Sequence, residues 1–361
     1  MKNIYYNKNK IVEQVTSVLI ILLLLISCSN TSKDVEVNTN EQSSNISKSE
    51  VPDTVKDTYY DISLSFAGDM MIAAYKDESK PNNFNDYARR YSSDYFLSAV
   101  SEIFKNDDFT LVNLENVLSD RDLEPVQKNH TPAYWYKSST SNIDILKYSG
   151  IEAVSLSNNH TNDYGKQGYD DTINTIVSNS LYYATDDKII YFEKYGFRIA
   201  FICHGLWAEG QAEQISNLVK ITEKQSDYQI VYFHGGRMKI HEPEEWKKRA
   251  CHRIADAGAD LILGSHPHVL QPMEVYNSVP ILYSLGNFCY GGSRKPENRT
   301  IIYQHQITIR DDAEIVKEES VIIPCYVYGG SINNFQPHLI TDITDKQKVI
   351  DFLYGKIDSP V

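Results

Sequence analysis

Gly258-Ala259-Asp260-Leu261-Ile262-Leu263-Gly264-Ser265-His266-Pro267-His268-Val269 sets two histidines directly behind a short apolar run. Residues 261–263 are bulky and apolar, the composition of a strand buried on both faces. Gly264 interrupts the run, and Pro267 separates His266 from His268. Proline fixes its own φ and biases the residue before it towards extended backbone, so His266 is expected to be extended and the tripeptide stiff. Two imidazoles held at the carboxyl end of a buried strand suit a metal site in an open α/β sheet. The tripeptide alone would serve equally well as a loop with one capping histidine, so the surrounding chain decides.

Working outward, Pro243 opens a helix whose Trp246, Ala250, Ile254 and Ala257 form one apolar stripe, and Gly258 closes it. Residues 230–233 are a second buried-type strand and run into His234-Gly235-Gly236, where glycine lets backbone approach a ligand closely. His241 and His252 are expected at the surface without partners, and His204 as a structural residue. Residues 61–67 alternate apolar and polar and are expected to form a strand that stops at Gly68-Asp69; Asp after Gly is also ordinary turn chemistry. Residues 109–114 form another strand, and Asn113 and Glu115, two apart, share one side of it, as a solvated strand end also would. The strand at 153–157 runs into Asn158-Asn159-His160-Thr161-Asn162-Asp163. That cluster offers an amide ligand, a proton donor and a carboxylate to fix the imidazole. It also makes a turn before a helix with Tyr169, Ile173, Ile176 and Val177 as its apolar stripe.

Asp69, Glu115, Asn159, His234, His266 and His268 thus recur in one pattern, each directly behind an apolar strand. Strands alternate with helices over the first two thirds of the chain, so the expected fold is α/β with a crevice outside the carboxyl ends of its strands. Six mixed oxygen and nitrogen ligands, two of them carboxylates, suit two divalent metal ions of the Mn, Fe or Zn kind bridged by one carboxylate. His160 is then the group to protonate a leaving group beside the metals, with Asp163 orienting it.

Gly68-Asp69, Asn113-Leu114-Glu115, Asn158-Asn159-His160 with Asp163 and Gly165, His234-x-Gly236, Gly264-Ser265-His266-Pro267-His268-Val269-x-Gln271 and Ser284-Leu285-Gly286-Asn287-Phe288 occur in this order. As a set they resemble the CapA family of poly-gamma-glutamate capsule biosynthesis proteins, related to calcineurin-like metallophosphoesterases. The resemblance implies a four-layer α/β/β/α sandwich of metallophosphoesterase type. It also implies a dinuclear centre on the six residues above, with His160 as acid and Asn158 and Asn287 as substrate contacts. The chain departs from the family pattern at Ala73-Ala74, where an arginine is usual, and at Gly235 and Met238, where the family has an aromatic and a carboxylate. It also has Met71 where related phosphoesterases carry a histidine.

The 361 residues, 42% hydrophobic, can bury one large domain, placed here at 58–361. A formal charge of −13 argues against nucleic acid, which needs clustered Lys and Arg. Residues 1–28 have a basic start (Lys2, Lys8, Lys10), an apolar run at 18–26 and the ending Leu25-Ile26-Ser27-Cys28, which looks like a bacterial lipobox. Cleavage before Cys28 and lipidation of its thiol would anchor the protein at the extracytoplasmic face of the cell membrane. Residues 29–57, rich in Ser, Asn, Thr, Glu and Lys, read as a tether. Cys203, Cys251, Cys289 and Cys325 lie in apolar or helical patterns and are expected as buried free thiols. A strand-rich tail is expected at 300–309 and 314–328 and a last helix at 345–354.

Two functions fit. One is an envelope-anchored metal-dependent hydrolase acting on a phosphoester or an anionic polymer, in or outside capsule assembly. The other is an accessory lipoprotein that holds such a polymer for the synthase components of a capsule machine without turning it over.

Overall fold

The computed structural model describes residues 57–76 and 81–361. The expected signal peptide with Cys28, and all but the last residue of the expected tether, lie outside them.

Two sheets make up the α/β fold. In the first, of eight strands, β1 (Tyr59–Met71) pairs parallel with β2 (Phe109–Leu114), and β5 (Ala153–Ser155) and β6 (Tyr182–Ala184) continue the parallel side. On its other flank β1 meets antiparallel β14 (Thr300–Arg310), followed by β15 (Ile315–Tyr326) and β16 (His338–Leu339). β13 (Asn287–Tyr290) pairs with the carboxyl end of β1. The second sheet runs β11 (Leu270–Tyr276), β12 (Val279–Leu285), β10 (Leu261–Ser265), β9 (Tyr228–His234), β8 (Phe197–Gly205) and β7 (Ile190–Lys194). Its four inner strands are parallel and its two edges antiparallel. A short ribbon of β3 (Val117–Leu118) and β4 (Lys137–Ser138) follows Glu115.

One apolar core joins the sheets: Ile62, Leu64 and Phe66 of β1 and Phe109 and Leu111 of β2 pack with Phe201 of β8, Tyr228, Ile230 and Tyr232 of β9 and Leu261 and Leu263 of β10. A second core covers the other face of the first sheet with α1 (Phe84–Arg90), α2 (Ser101–Lys105), α3 (Ile143–Lys147) and Ile176 of α4 (Gly165–Ser178). A third covers the second sheet with α5 (Gln211–Thr222) and α6 (Glu245–Asp256). The last helix, α7 (Ile343–Leu353), inserts Val349, Phe352 and Leu353 into the core between the sheets.

Side-chain parity decides what the strand ends present. Phe109 and Leu111 face the second sheet, so Asn113 and Glu115, two and four residues on, face it too. Tyr228, Ile230 and Tyr232 face the first sheet, and His234 continues that parity. Strand β1 is the exception, because it does not stop at Gly68 as its alternation suggests. It runs on to Met71 through an irregularity between Phe66 and Asp69. Before the irregularity Ile62, Leu64 and Phe66 face the second sheet; beyond it Met70 and Ile72 face the helices. The phase has flipped, as an extra residue in one strand must make it do, and Asp69 is thereby aimed at the second sheet.

One other expectation is corrected, and one strand was not anticipated. In α4, Val177 is exposed and Thr172 and Thr175 take the buried positions, because the Thr172 hydroxyl receives the Leu118 N–H at 2.9 Å. Strand β11 gave no sequence signal: Pro272 breaks its pattern, and it is tolerated because β11 is an edge strand. All four described cysteines are buried and free, as expected.

Candidate metal centre

The six strand-end residues meet between the sheets, at the carboxyl ends of β1, β2, β5, β9 and β10. Glu115, His234 and His266 form one group able to hold a metal ion, and Asp69, Glu115 and His268 form a second. Within each group one ligand atom per residue lies within 4.8 Å of the others, and Glu115 belongs to both. The Asn159 amide oxygen is 2.8 Å from His234 Nε2, which places it at the first group. His234 Nε2 and His266 Nδ1 face each other at 3.0 Å, and Glu115 Oε1 lies 3.5 Å from the same His234 nitrogen. On the other side, Glu115 Oε1 is 3.8 Å from His268 Nε2, and Asp69 Oδ2 is 3.1 Å from His268 Nδ1.

The backbone is bent to achieve this. His266 has φ +98° and His268 φ +58°, so the expected extended geometry before Pro267 is overruled. Such left-handed conformations in residues with a Cβ cost on the order of 1–3 kcal/mol each and persist where surrounding contacts over-determine them. Here the His266 N–H donates to Asp69 Oδ2 at 3.2 Å, and the Lys239 N–H donates to the Pro267 carbonyl at 2.7 Å. Gly68 and Gly235 bring their strands together as no other residue could. A Cβ on Gly68 would sit 1.9 Å from the Gly286 carbonyl oxygen, and one on Gly235 1.8 Å from that of Leu206.

The electrostatics separate the two carboxylates. Burial opposes the charge of Asp69, but the hydrogen-bonding and charge contributions of His234 and His268 hold its carboxyl well below the usual carboxylate range. Glu115 is pushed well above that range by burial, and then by the charges of Asp69 and Asp163. Both Glu115 oxygens are buried and have no hydrogen-bond partner, the arrangement a native protein avoids unless something else meets them. Burial, then the neighbouring imidazoles, lowers His266 to about 2, and burial also lowers His234. Neutral imidazoles are what metal ligation requires. Orphaned Glu115 oxygens, facing ring nitrogens of His234 and His266 and the lowered pKa of these two imidazoles all fit divalent cations shared through Glu115.

His160 lies beside this centre, its Nε2 4.0 Å from Glu115 Oε1 and its Nδ1 2.8 Å from Asp163 Oδ2. Burial lowers its pKa against the opposing pull of Asp163. Asn158 and Asn287, the expected substrate contacts, have partners within the protein. Asn287 clamps His268, its Oδ1 3.0 Å from His268 Nδ1 and its amide donating to the His268 carbonyl at 2.9 Å. Asn158 donates to Asn113 Oδ1 and to the Leu114 carbonyl, and its Oδ1 accepts the His160 N–H.

Several residues at the site had no role assigned from sequence. Asn113 donates to Asp69 Oδ1 at 2.8 Å, and Ser265 Oγ is 2.9 Å from His234 Nδ1. The Trp207 ring lies edge-on to His234 and His266, and Tyr290 packs against His268. Trp207, two residues after β8, and Ser265 and Tyr290, the last residues of β10 and β13, all stand where the strand-end rule looks, but none is a usual metal ligand. His204 is structural, with Nδ1 2.6 Å from the Gly205 carbonyl oxygen. His241 and His252 are half-buried and do have partners, Glu297 at 2.9 Å and Glu274 at 2.7 Å, which sequence distance hid.

A family model described as "Bacterial capsule synthesis protein PGA_cap" matches residues 63–291, the span that holds every residue of this centre. The chain is 26% identical over 314 residues to the capsule biosynthesis protein CapA of Bacillus anthracis, covering 80% of this chain and 72% of that one. It is 29% identical over 275 residues to the PGA biosynthesis protein CapA of Bacillus subtilis (strain 168), covering 68% and 69%.

Proposed function

The chain belongs to the bacterial capsule synthesis protein family PGA_cap, and on that premise we propose that it is a membrane-anchored capsule or exopolymer assembly protein with a dinuclear metal site. In this reading the fold is the four-layer α/β/β/α sandwich of metallophosphoesterases, and Cys28 carries the lipid anchor at the extracytoplasmic face. The observation that carries the reading is Glu115, fully buried, with two unpartnered oxygens shared by two ligand groups.

Asp69, Glu115 and His268 would hold one ion, and Glu115, His234, His266 and Asn159 the other. Bound there, divalent metals supply an activated water and stabilise charge on a phosphoryl or acyl oxygen. The protein's own contribution is positional. Asn113 and Asn287 fix Asp69 and His268, while Ser265 meets the far nitrogen of His234, the outer-shell support that sets ligand orientation. Trp207 and Tyr290 pack their rings against His266 and His268 and hold the planes of these imidazoles. His160, held through Nδ1 by Asp163, keeps Nε2 towards the centre, where it can take a proton from the attacking water and hand it to a leaving oxygen or nitrogen. The substrate is an anionic polymer or phosphoester, and the partners are the polymer synthase components.

Purified protein assayed against phosphodiesters and gamma-glutamyl peptides tests this reading. Metal-dependent hydrolysis that falls by roughly 10²–10⁴-fold in His160→Ala is expected of a general acid; activity indifferent to both metal and His160 would overturn it. A polymer-holding role without turnover is the second reading, favoured by Trp207 and Tyr134, each about two-fifths exposed. It predicts polymer binding that needs the metal, with no product formed.

A further inference from the structure

Three carboxylates are fully buried at this centre, Asp69, Glu115 and Asp163. The ammonium paired with one of them is that of Lys128. Its Nζ lies 2.5 Å from Asp163 Oδ1, with the Lys128 side chain only 12% exposed. The opposite oxygen, Asp163 Oδ2, takes His160 Nδ1 at 2.8 Å and the Tyr136 N–H at 2.9 Å. Lys128 Nζ is fixed in turn: it donates to the Tyr134 carbonyl at 2.7 Å and stands 5.8 Å from the Trp135 ring centroid. The chain on either side of Lys128 closes on the same aspartate. The Val126 N–H donates to the Asp163 carbonyl at 2.9 Å, and the Trp135 indole N–H to the Val126 carbonyl at 2.8 Å.

We propose that Lys128 is a positioning residue which, by ion-pairing the Asp163 oxygen that His160 does not use, locks His160 with Nδ1–H on Asp163 and a bare Nε2 turned towards Glu115. The inference rests on the reading that His160 works at this centre, and it gives Lys128 a part in it. A buried carboxylate shared by two donors needs a compensating charge; without one it rotates, recruits water or gives up one partner. Asp163 has room for that choice because its two oxygens serve different donors. With Lys128 holding Oδ1, Oδ2 is left to His160 and the Tyr136 N–H. The imidazole then has one tautomer and one ring plane, the conditions for a proton to be taken up, and then passed on, at Nε2 alone. Arginine would keep the charge in the pocket, whereas methionine keeps the stem and removes it.

The test is nitrogen-15 NMR of histidine-labelled protein, with the His160 signals assigned by their loss in His160→Gln. Wild type is expected to show a single His160 tautomer protonated at Nδ1. Lys128→Met is expected to show mixed tautomers or exchange-broadened His160 signals while remaining folded by circular dichroism, and Lys128→Arg to restore the wild-type signature. A folded Lys128→Met protein with unchanged His160 signals would overturn the proposal, as would loss of the signature in a folded Lys128→Arg protein. If Lys128→Met does not fold, Lys128→Gln takes its place under the same two outcomes. The spectra are read on metal-free protein without substrate. A failure to bind metal or to turn over therefore bears on the function proposed above, and the His160 signature on Lys128.

Discussion

At the scale of the residue, Glu115 concentrates the cost and the purpose of the site. An unmet buried charged group costs a protein more than the 1–3 kcal/mol of an ordinary orphaned polar atom. Glu115→Gln should therefore leave the metal-free protein as stable as wild type or more so. It should also abolish the stabilisation by added Mn or Zn, which for wild type amounts to about 2.7 kcal/mol per site at a hundredfold excess over Kd. Thermal unfolding with and without metal reads both effects. A Glu115→Gln protein that metal still stabilises fully would show that the carboxylate is not shared between ions.

His305 makes a separate prediction far from the centre. It is buried with the Tyr228 hydroxyl 2.8 Å from Nε2 and Ser320 Oγ 2.9 Å from Nδ1, and burial pushes its pKa down to about 4. Unfolded, it titrates near its ordinary 6.5 and binds the proton that the folded state refuses. Its share of stability is therefore complete above pH 6.5 and lost as pH falls from there to about 4. The whole loss is on the order of 3 kcal/mol. Urea unfolding across that range should show a shallower acid loss in His305→Gln; equal slopes would remove His305 as a cause. None of this was legible in sequence, because neither histidine nor its partners stand at any recognisable spacing.

At the scale of the element, the irregularity in β1 and two close glycine contacts place the ligands. Gly68→Ala would drive a methyl group into the Gly286 carbonyl and break the 2.9 Å hydrogen bond from the Asp69 N–H to that oxygen. Gly235→Ala would do the same against Leu206. Each should destabilise by about 3 kcal/mol or more, in the upper range for overpacking. Gly68→Ala should also weaken metal binding, because Asp69 moves with the strand. Denaturant midpoints and metal titration check the pair, and a stable Gly68→Ala with native metal affinity would refute the role given to this contact.

The same elements show what sequence can carry. Strand ends at Glu115, His234 and His266 were legible because an apolar run followed by a polar residue survives in the one-dimensional pattern. The flip in β1 was not, since its alternating residues look like a half-buried strand while both flanks are covered in three dimensions. Nor was the backbone of His266, where contacts to Asp69 and Lys239 outweigh the bias that Pro267 imposes.

For the whole molecule, function follows from two sheets sharing one core and opening their carboxyl ends onto the same crevice. The α/β class and the six-residue set could be expected from the order of strands and from family-like motifs. The supporting contacts could not, although Ser265 and Trp207 stand at strand ends, because Asn113, Ser265, Trp207 and Lys128 act between segments far apart in the chain. The central proposal is that Glu115 joins two metal positions in one chain. Elemental analysis of purified, metal-loaded protein after gel filtration measures this directly. Two divalent ions per chain are expected in wild type, with a marked loss in Glu115→Gln. Wild-type protein that retains no metal, or a folded Glu115→Gln protein that retains both ions, would contradict it.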